Sequence, residues 1–294
     1  MAPLTVRPSL NALRSSIDRV VVTAVLCALA ALGIIGWYLR LNQPKDMAAY
    51  VALARTQLHS GQIEAAQHTC ELAVSKGFDG VDIHHLLVQS MYARHDNIGV
   101  TAQLNWGHNQ PDALLLHLDE IRIALSRGEI HQAKTLLAQL RARKYPPALI
   151  AQYQAGLASI ARTFADAGLA AESQELQKSL PAAVASGAPR DESTFESAYL
   201  HGQADVAAGK DVVAQAEFHA ITEHIYLDPL SIDYPLALLA SARAYVRQNQ
   251  PDQARGQFDH LLDLWKDADE DWPLSQAARA ESDSGSTLDV AVKP

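Results

Sequence analysis

Five short turns at a fixed spacing constrain this chain more than any other feature. They are Ser60-Gly61, Arg127-Gly128, Ala167-Gly168, Ala208-Gly209 and Gln248-Asn249. Each follows a stretch in which apolar and small residues recur every three or four positions, and each opens a second such stretch. The reading is helix, tight turn, helix, repeated. Gly or Asn suits the left-handed residue that closes a helix. Five residues after each turn stands a small side chain: Ala66, Ala133, Ser173, Ala214 or Ala254. Nine after come Cys70, Leu137, Gln177, Phe218 and Phe258, and twelve after come Ala73, Leu140, Leu180, Ile221 and Leu261. Separations of four and three place these on one face of the second helix, where the small residue lets the paired helices approach closely. No stretch alternates with period two, so strands are not expected.

Successive turns lie 67, 40, 41 and 40 residues apart. The first interval is two units, with a degenerate one between Val81 and Pro111. This is the tetratricopeptide helix-turn-helix pattern, with a longer period than the usual value of about 34 residues. Prolines mark the longer linkers at Pro146-Pro147, from Pro181 to Pro189, and at Pro229 with Pro235. The expected fold is all-α: a solenoid of about six helix-turn-helix repeats over residues 47–281. The small polar tail, 282–294, is expected to be disordered.

From Val20 to Leu39 runs a twenty-residue segment without a charge, VVVTAVLCALAALGIIGWYL. As a helix it spans about 30 Å, the hydrocarbon thickness of a bilayer. Asp18 and Arg19 bound it on one side and Arg40 on the other, and Trp37 and Tyr38 suit an interfacial belt. The apolar run continues well past the small pair Ala28 and Ala30, which argues against a cleaved signal peptide. Leu26 before Cys27 argues against lipidation there. The expected organisation is a basic arm (1–19), a single transmembrane helix (20–39), a linker (40–46), the solenoid and the tail. Basic residues on both sides of the span discriminate little, and the orientation preferred is a cytoplasmic arm with the solenoid outside.

The chain has 294 residues, 48% hydrophobic and 19% charged, which excludes collagen-like and wholly disordered chains. Two cysteines exclude a disulfide scaffold. The net charge of −9 is uneven, with +4 in residues 1–45 and −13 beyond. So acidic a body repels a phosphate backbone, and nucleic acid is not an expected partner.

Residues 234–281, from YPLALLASARAYVRQ through LWKDADEDWPLSQAARAE, resemble the C-terminal segment of the tetratricopeptide module of acidobacterial membrane proteins. The likeness rests on Ala242-Arg243-Ala244-Tyr245, Ala254-Arg255, Leu264-Trp265-Lys266-Asp267-Ala268-Asp269, Pro273 and Glu281. Stretches 97–116, 124–137 and 161–176 resemble it too. In that family the module accompanies a membrane serine/threonine kinase or a winged-helix regulator. No kinase loop or DNA-reading domain is found beside it here. The resemblance therefore implies an interaction module, in a bacterial cytoplasmic membrane with a periplasmic solenoid.

Candidate chemistry is sparse. The Asp267, Asp269, Glu270, Asp271 run lacks the glycine and late glutamate of a calcium loop. An acidic cap, with Asp271 before the final helix, explains it better. His84 and His85 are adjacent and His219 and His224 five apart, so neither pair shares a helix face. No HExxH, Walker A, GxGxxG or GxSxG motif occurs. Cys70 reads as a small buried hydrophobe. No catalysis, cofactor or metal is expected.

The most informative constellation lies six residues before each turn: Arg55, Arg122, Arg162, Gln203 and Arg243. First helices of such pairs line the concave side, so these positions stack into a stripe. Guanidinium groups so arranged either clamp a partner's carboxylates or pair with acidic neighbours within the array. Val51, Leu118, Tyr199 and Leu239, on the same helices, would add apolar groove area. The expected function is a membrane-anchored scaffold or adaptor for a protein or peptide. The alternatives are an accessory subunit of a larger membrane complex and an orphan ligand sensor.

Overall fold

The computed structural model describes residues 46–182, 184 and 195–290. Among these are thirteen α-helices and no strand. They are α1 (Met47–His59), α2 (Ile63–Ser75), α3 (Val81–Ala93), α4 (Asn97–His108), α5 (Leu114–Ser126), α6 (Ile130–Ala142), α7 (Ile150–Asp166), α8 (Ala170–Lys178), α9 (Phe195–Ala207), α10 (Asp211–Glu223), α11 (Asp233–Arg247), α12 (Pro251–Leu264) and α13 (Pro273–Val290). Twelve of them form six consecutive pairs, and α13 follows the last. The arm, the apolar segment 20–39 and the linker up to residue 45 lie outside the described residues. Among the described residues no helix is long and apolar enough to cross a membrane.

All six pairs turn the same way. At the turn one residue takes positive φ: Gly61, His95, Gly128, Gly168, Gly209 and Asn249. The next N–H then reaches back five residues to a carbonyl, as in Gln62 to Gln57, Asp96 to Met91 and Glu129 to Ala124. That bond satisfies a carbonyl the ending helix leaves unpaired. The degenerate second unit thus has an ordinary turn, with His95 at φ 60° where the others carry Gly or Asn. Asp96 supports it by accepting a hydrogen bond from the Gly99 N–H at 2.9 Å, capping α4. On the second helices, fourteen of the fifteen expected packing positions are buried. Gln177 is the exception. It is exposed, and Leu176 points into the core instead.

First helices lie beside first helices (α1, α3, α5 and α7, then α9 and α11), the stacking of a helical-repeat solenoid. The superhelix does not stay open. Helix α11 reaches α5, and the last pair shares one hydrophobic core with pairs three and four. Two tryptophans make that closure. Trp265 Nε1 donates to the Ser126 carbonyl and Trp272 Nε1 to the Ala167 carbonyl, both at 3.0 Å. Each indole thereby caps the carboxyl end of a helix in an earlier pair while burying its rings, which meet edge-to-face with centroids 4.5 Å apart. At Gly128 a Cβ would lie 2.5 Å from Trp272 and 2.7 Å from Ala268, so only glycine admits this approach.

The acidic run after Trp265 serves the same closure. Asp269 accepts the His131 N–H at 2.7 Å, and its own N–H donates to Gly128 O at 3.0 Å. Asp271 meets the His131 ring at 3.1 Å. The carboxylates therefore face the N-terminus of α6, where helix N–H groups favour negative charge, rather than capping the final helix alone. Helix α13 itself continues to Val290, into the 282–294 stretch for which composition predicts disorder. No proline interrupts it there.

Candidate functional site

The two halves of the inner face are filled differently. Across pairs one to three lies the chain's own linker between α10 and α11. Its short 3-10 turn, Ile225–Leu227, contacts α1 and α3. Tyr226 lies over Gly61, Leu230 is fully buried in the core of the first pairs, and Asp228 meets Arg122. Arg122 Nη2 donates to both Asp228 oxygens at 2.6 Å. Burial opposes the charge on Arg122, but Asp228 and Asp119 outweigh it and hold the guanidinium above its ordinary pKa. Beside it His85 Nδ1 meets the buried Asp119 at 2.6 Å, and this partner keeps the imidazole basic against burial.

Two other stripe arginines are paired as well. Arg243 forms a bidentate pair with Glu281 at 2.7 and 2.8 Å, and Arg162 lies 3.6 Å from Glu196. Glu281, one of the points of resemblance, is thus an internal partner. Arg55 is exposed on α1, and Gln203, also exposed, donates to Tyr199 Oη at 2.7 Å. Of the two open sequence readings for the stripe, internal pairing is what Arg122, Arg162 and Arg243 do. The same register in the second pair is Gln89, against His85 at 3.3 Å, which the missing turn signal concealed.

The expected groove residues split likewise. Leu118 and Leu239 are buried core residues, and only Leu239 also borders a cavity. Leu118 fills the space over Gly156, where a Cβ would come within 2.6 Å of it. A first helix that packs on both neighbours and on a closing superhelix has little free inner surface. Val51 and Tyr199 are half-buried.

From pair three to pair six the inner face keeps two cavities, and both are lined by Asp166. One, of about 230 Å³, lies between Arg122 of α5, Ser159, Arg162 and Thr163 of α7, Glu196 of α9 and the segment Asp228–Asp233. The second, of about 250 Å³, is lined by Tyr199, Gln203 and Val206 of α9, Leu236, Leu239 and Arg243 of α11, and Leu274 of α13. Six of the nine candidate residues thus line two cavities on one side of the molecule. Burial pushes the Tyr199 hydroxyl up to about 12, so it stays a neutral hydrogen-bonding group. Asp233, on the first turn of α11, is 7% exposed, the most buried of the carboxylates lining the first cavity. Burial first, then Asp166, Asp228 and Glu196, push its carboxyl up to about 7 against a hydrogen bond from Ser231. Nothing in the sequence pattern singles it out, because its neighbours come from three other elements.

Three other features resolve simply. Cys70 is fully buried with its thiol pushed up to about 12 by burial and by Glu71, an inert packing group. His84 lies between Asp79 and Gln103, each at 2.6 Å, while His85 points to Asp119, so the adjacent histidines do diverge. His131, Asp269 and Asp271 bring three potential ligand atoms within 4.8 Å of one another, but these groups already bond to each other in the closure contact. No protein-family model matches this sequence, and no curated protein matches it either.

Proposed function

We propose that this chain is a non-catalytic binding module of tetratricopeptide type, anchored in a membrane through residues 20–39. It acts as a scaffold or adaptor that holds a protein or peptide partner on the inner face of pairs four to six. One observation carries this reading: the two adjoining cavities sharing Asp166, which leave polar and apolar side chains of α7, α9 and α11 facing space rather than the core. The inner face of pairs one to three supports it indirectly. There the solenoid already holds its own linker through Arg122, whose Nη2 meets both Asp228 oxygens, and one buried leucine, the chemistry by which such a face would hold a partner. The stripe arginines orient the cavity walls through their ion pairs instead of meeting the partner as free charges.

The test is capture of partners by the full chain from detergent extract. Gln203→Arg and Val206→Asp fill and charge the second cavity from exposed or half-buried positions, so the fold survives. Loss of the same captured proteins from both variants, with unchanged helicity and Tm, supports the reading. An unchanged set of partners overturns it.

A further inference from the structure

The linker 224–232 sits on the inner face of pairs one to three as a bound peptide would. Three of its side chains, at alternate positions, seat it. The Tyr226 ring lies over Gly61, where a Cβ would come 3.4 Å from it. Arg122 Nη2 donates to both Asp228 oxygens at 2.6 Å. Leu230 enters the core of the first pairs and is fully buried there. Among the described residues no backbone hydrogen bond ties the linker to α1, α3 or α5. The backbone bonds instead within the linker, from the Leu227 N–H to His224 O at 2.9 Å and from the Ser231 N–H to Asp228 O at 3.1 Å.

Two cavities border the seated segment. The one of about 230 Å³ reaches Asp228 and Leu230. Another, of about 250 Å³, touches Ile225, Pro229 and Ser231 and lies among Tyr92, Ser126 and Tyr234. Side chains beside a void lack the contacts that a filled core supplies. The linker is thus held by a few side-chain anchors rather than by shared backbone bonds. Each anchor has a receptor on the solenoid: the glycine turn of the first pair, a guanidinium on α5, and an apolar hollow among the first three pairs.

We infer that the inner face of pairs one to three is a peptide-binding face held closed by this linker. Its partner is a segment of another protein that carries an aromatic, a carboxylate and an aliphatic side chain at alternate positions, in the order of Tyr226, Asp228 and Leu230. The inference stands on the linker contacts and needs neither a partner on pairs four to six nor a membrane anchor. A tethered segment has an effective concentration of about millimolar at its own site. The partner therefore binds while the linker is away, and its apparent affinity scales with that open fraction.

The test uses the full chain in detergent and a fluorescein-labelled peptide of residues 222–232, TEHIYLDPLSI. Tyr226→Ser combined with Asp228→Asn loosens the linker at two half-buried positions and leaves Leu230 in place. This variant keeps its helicity and binds the peptide at least about tenfold tighter than wild type, read by fluorescence anisotropy. The peptide carrying Asp228→Asn and Leu230→Ser binds the same variant at least about tenfold more weakly, having lost a charge-assisted contact and an apolar anchor. In wild type, unlabelled peptide at about 1 mM quickens amide exchange of residues 224–232 and leaves the α9 amides unchanged. If the variant loses helicity, that wild-type measurement decides alone. No peptide binding by a helical variant, equal binding of the altered peptide, or unchanged linker exchange in wild type overturns the inference. Dimerisation of the variant in analytical ultracentrifugation gives the face to a second copy and overturns the assignment to another protein. Peptide binding by a chain that captures nothing through pairs four to six keeps this face and removes that reading. Capture through pairs four to six without peptide binding does the reverse.

Discussion

Pairs one to three and pairs four to six share one turn and one register, yet their inner faces end differently. The first is occupied by the linker 224–232, with Leu230 fully buried and Asp228 paired to Arg122. The second keeps two cavities and Asp233, whose carboxyl burial pushes up to about 7. A repeat fixes which residues face inward but not what meets them. That is decided by where the superhelix returns. Here it returns through a proline-marked linker long enough to lie across α1 and α3.

The largest effect tests the return itself. Gly128→Val places a β-branched side chain at φ +75° and against Trp272 and Ala268. The strain and overpacking together cost about 3–5 kcal/mol, read as a lowered urea midpoint. If closure holds the halves together, Trp265 and Trp272 fluorescence shifts red in the same variant. An unchanged midpoint would mean the last pair does not rest on this turn.

Leu230→Ala empties a fully buried site and costs about 2–4 kcal/mol, whereas Leu227→Ala, 40% exposed in the same linker, stays within about 0.5 kcal/mol. Equal effects would remove the distinction between a gripped segment and an ordinary loop.

Titration sharpens the contrast from the open side. Asp233 has its folded pKa raised to about 7, so between its unfolded value of 3.8 and 7 the folded state holds the extra proton. Stability from this group therefore falls as pH rises across that window, by up to about 4 kcal/mol, and Asp233→Asn flattens the slope. His117 works in the opposite sense. Burial, Arg143 and His108 depress it to about 4, so stability falls as pH drops from 6.5 toward 4. Tm measured from pH 4 to pH 8 in Asp233→Asn and in His117→Gln separates the two.

Asp228→Asn gives the smallest of these effects, about 1–2 kcal/mol. It weakens a bidentate pair whose two side chains are 26% and 28% exposed, so solvent screens part of the loss. Amide exchange of residues 224–232 quickens in that variant, while the α9 amides do not change. Quickening in both would make the linker a general strut rather than a local plug.

Several parts of this arrangement are plain in the primary structure. Of the six positive-φ residues at the turns within pairs, five are Gly or Asn, and the small residues five positions after these five are all buried. His95 hid the sixth turn because a non-glycine residue carries no left-handed signal of its own. The stripe was in register, yet its role was not legible. Arg122 finds its carboxylate 106 residues away and Arg243 finds one 38 residues away. The Trp265–Asp269 run stood out by resemblance, but its work, sealing the turns at Ser126 and Gly128, depends on a contact across about half the chain.

Sequence alone determined the helix pairs, because apolar periodicity and a left-handed turn residue act over a few neighbouring positions. Tertiary structure decided that the superhelix closes, that Leu118 and Leu239 are core, and that Asp233 lines a polar cavity. Those outcomes follow from small rotations between successive pairs that add up over the whole solenoid. Each rotation is set by side-chain packing between pairs, and no local pattern records their sum.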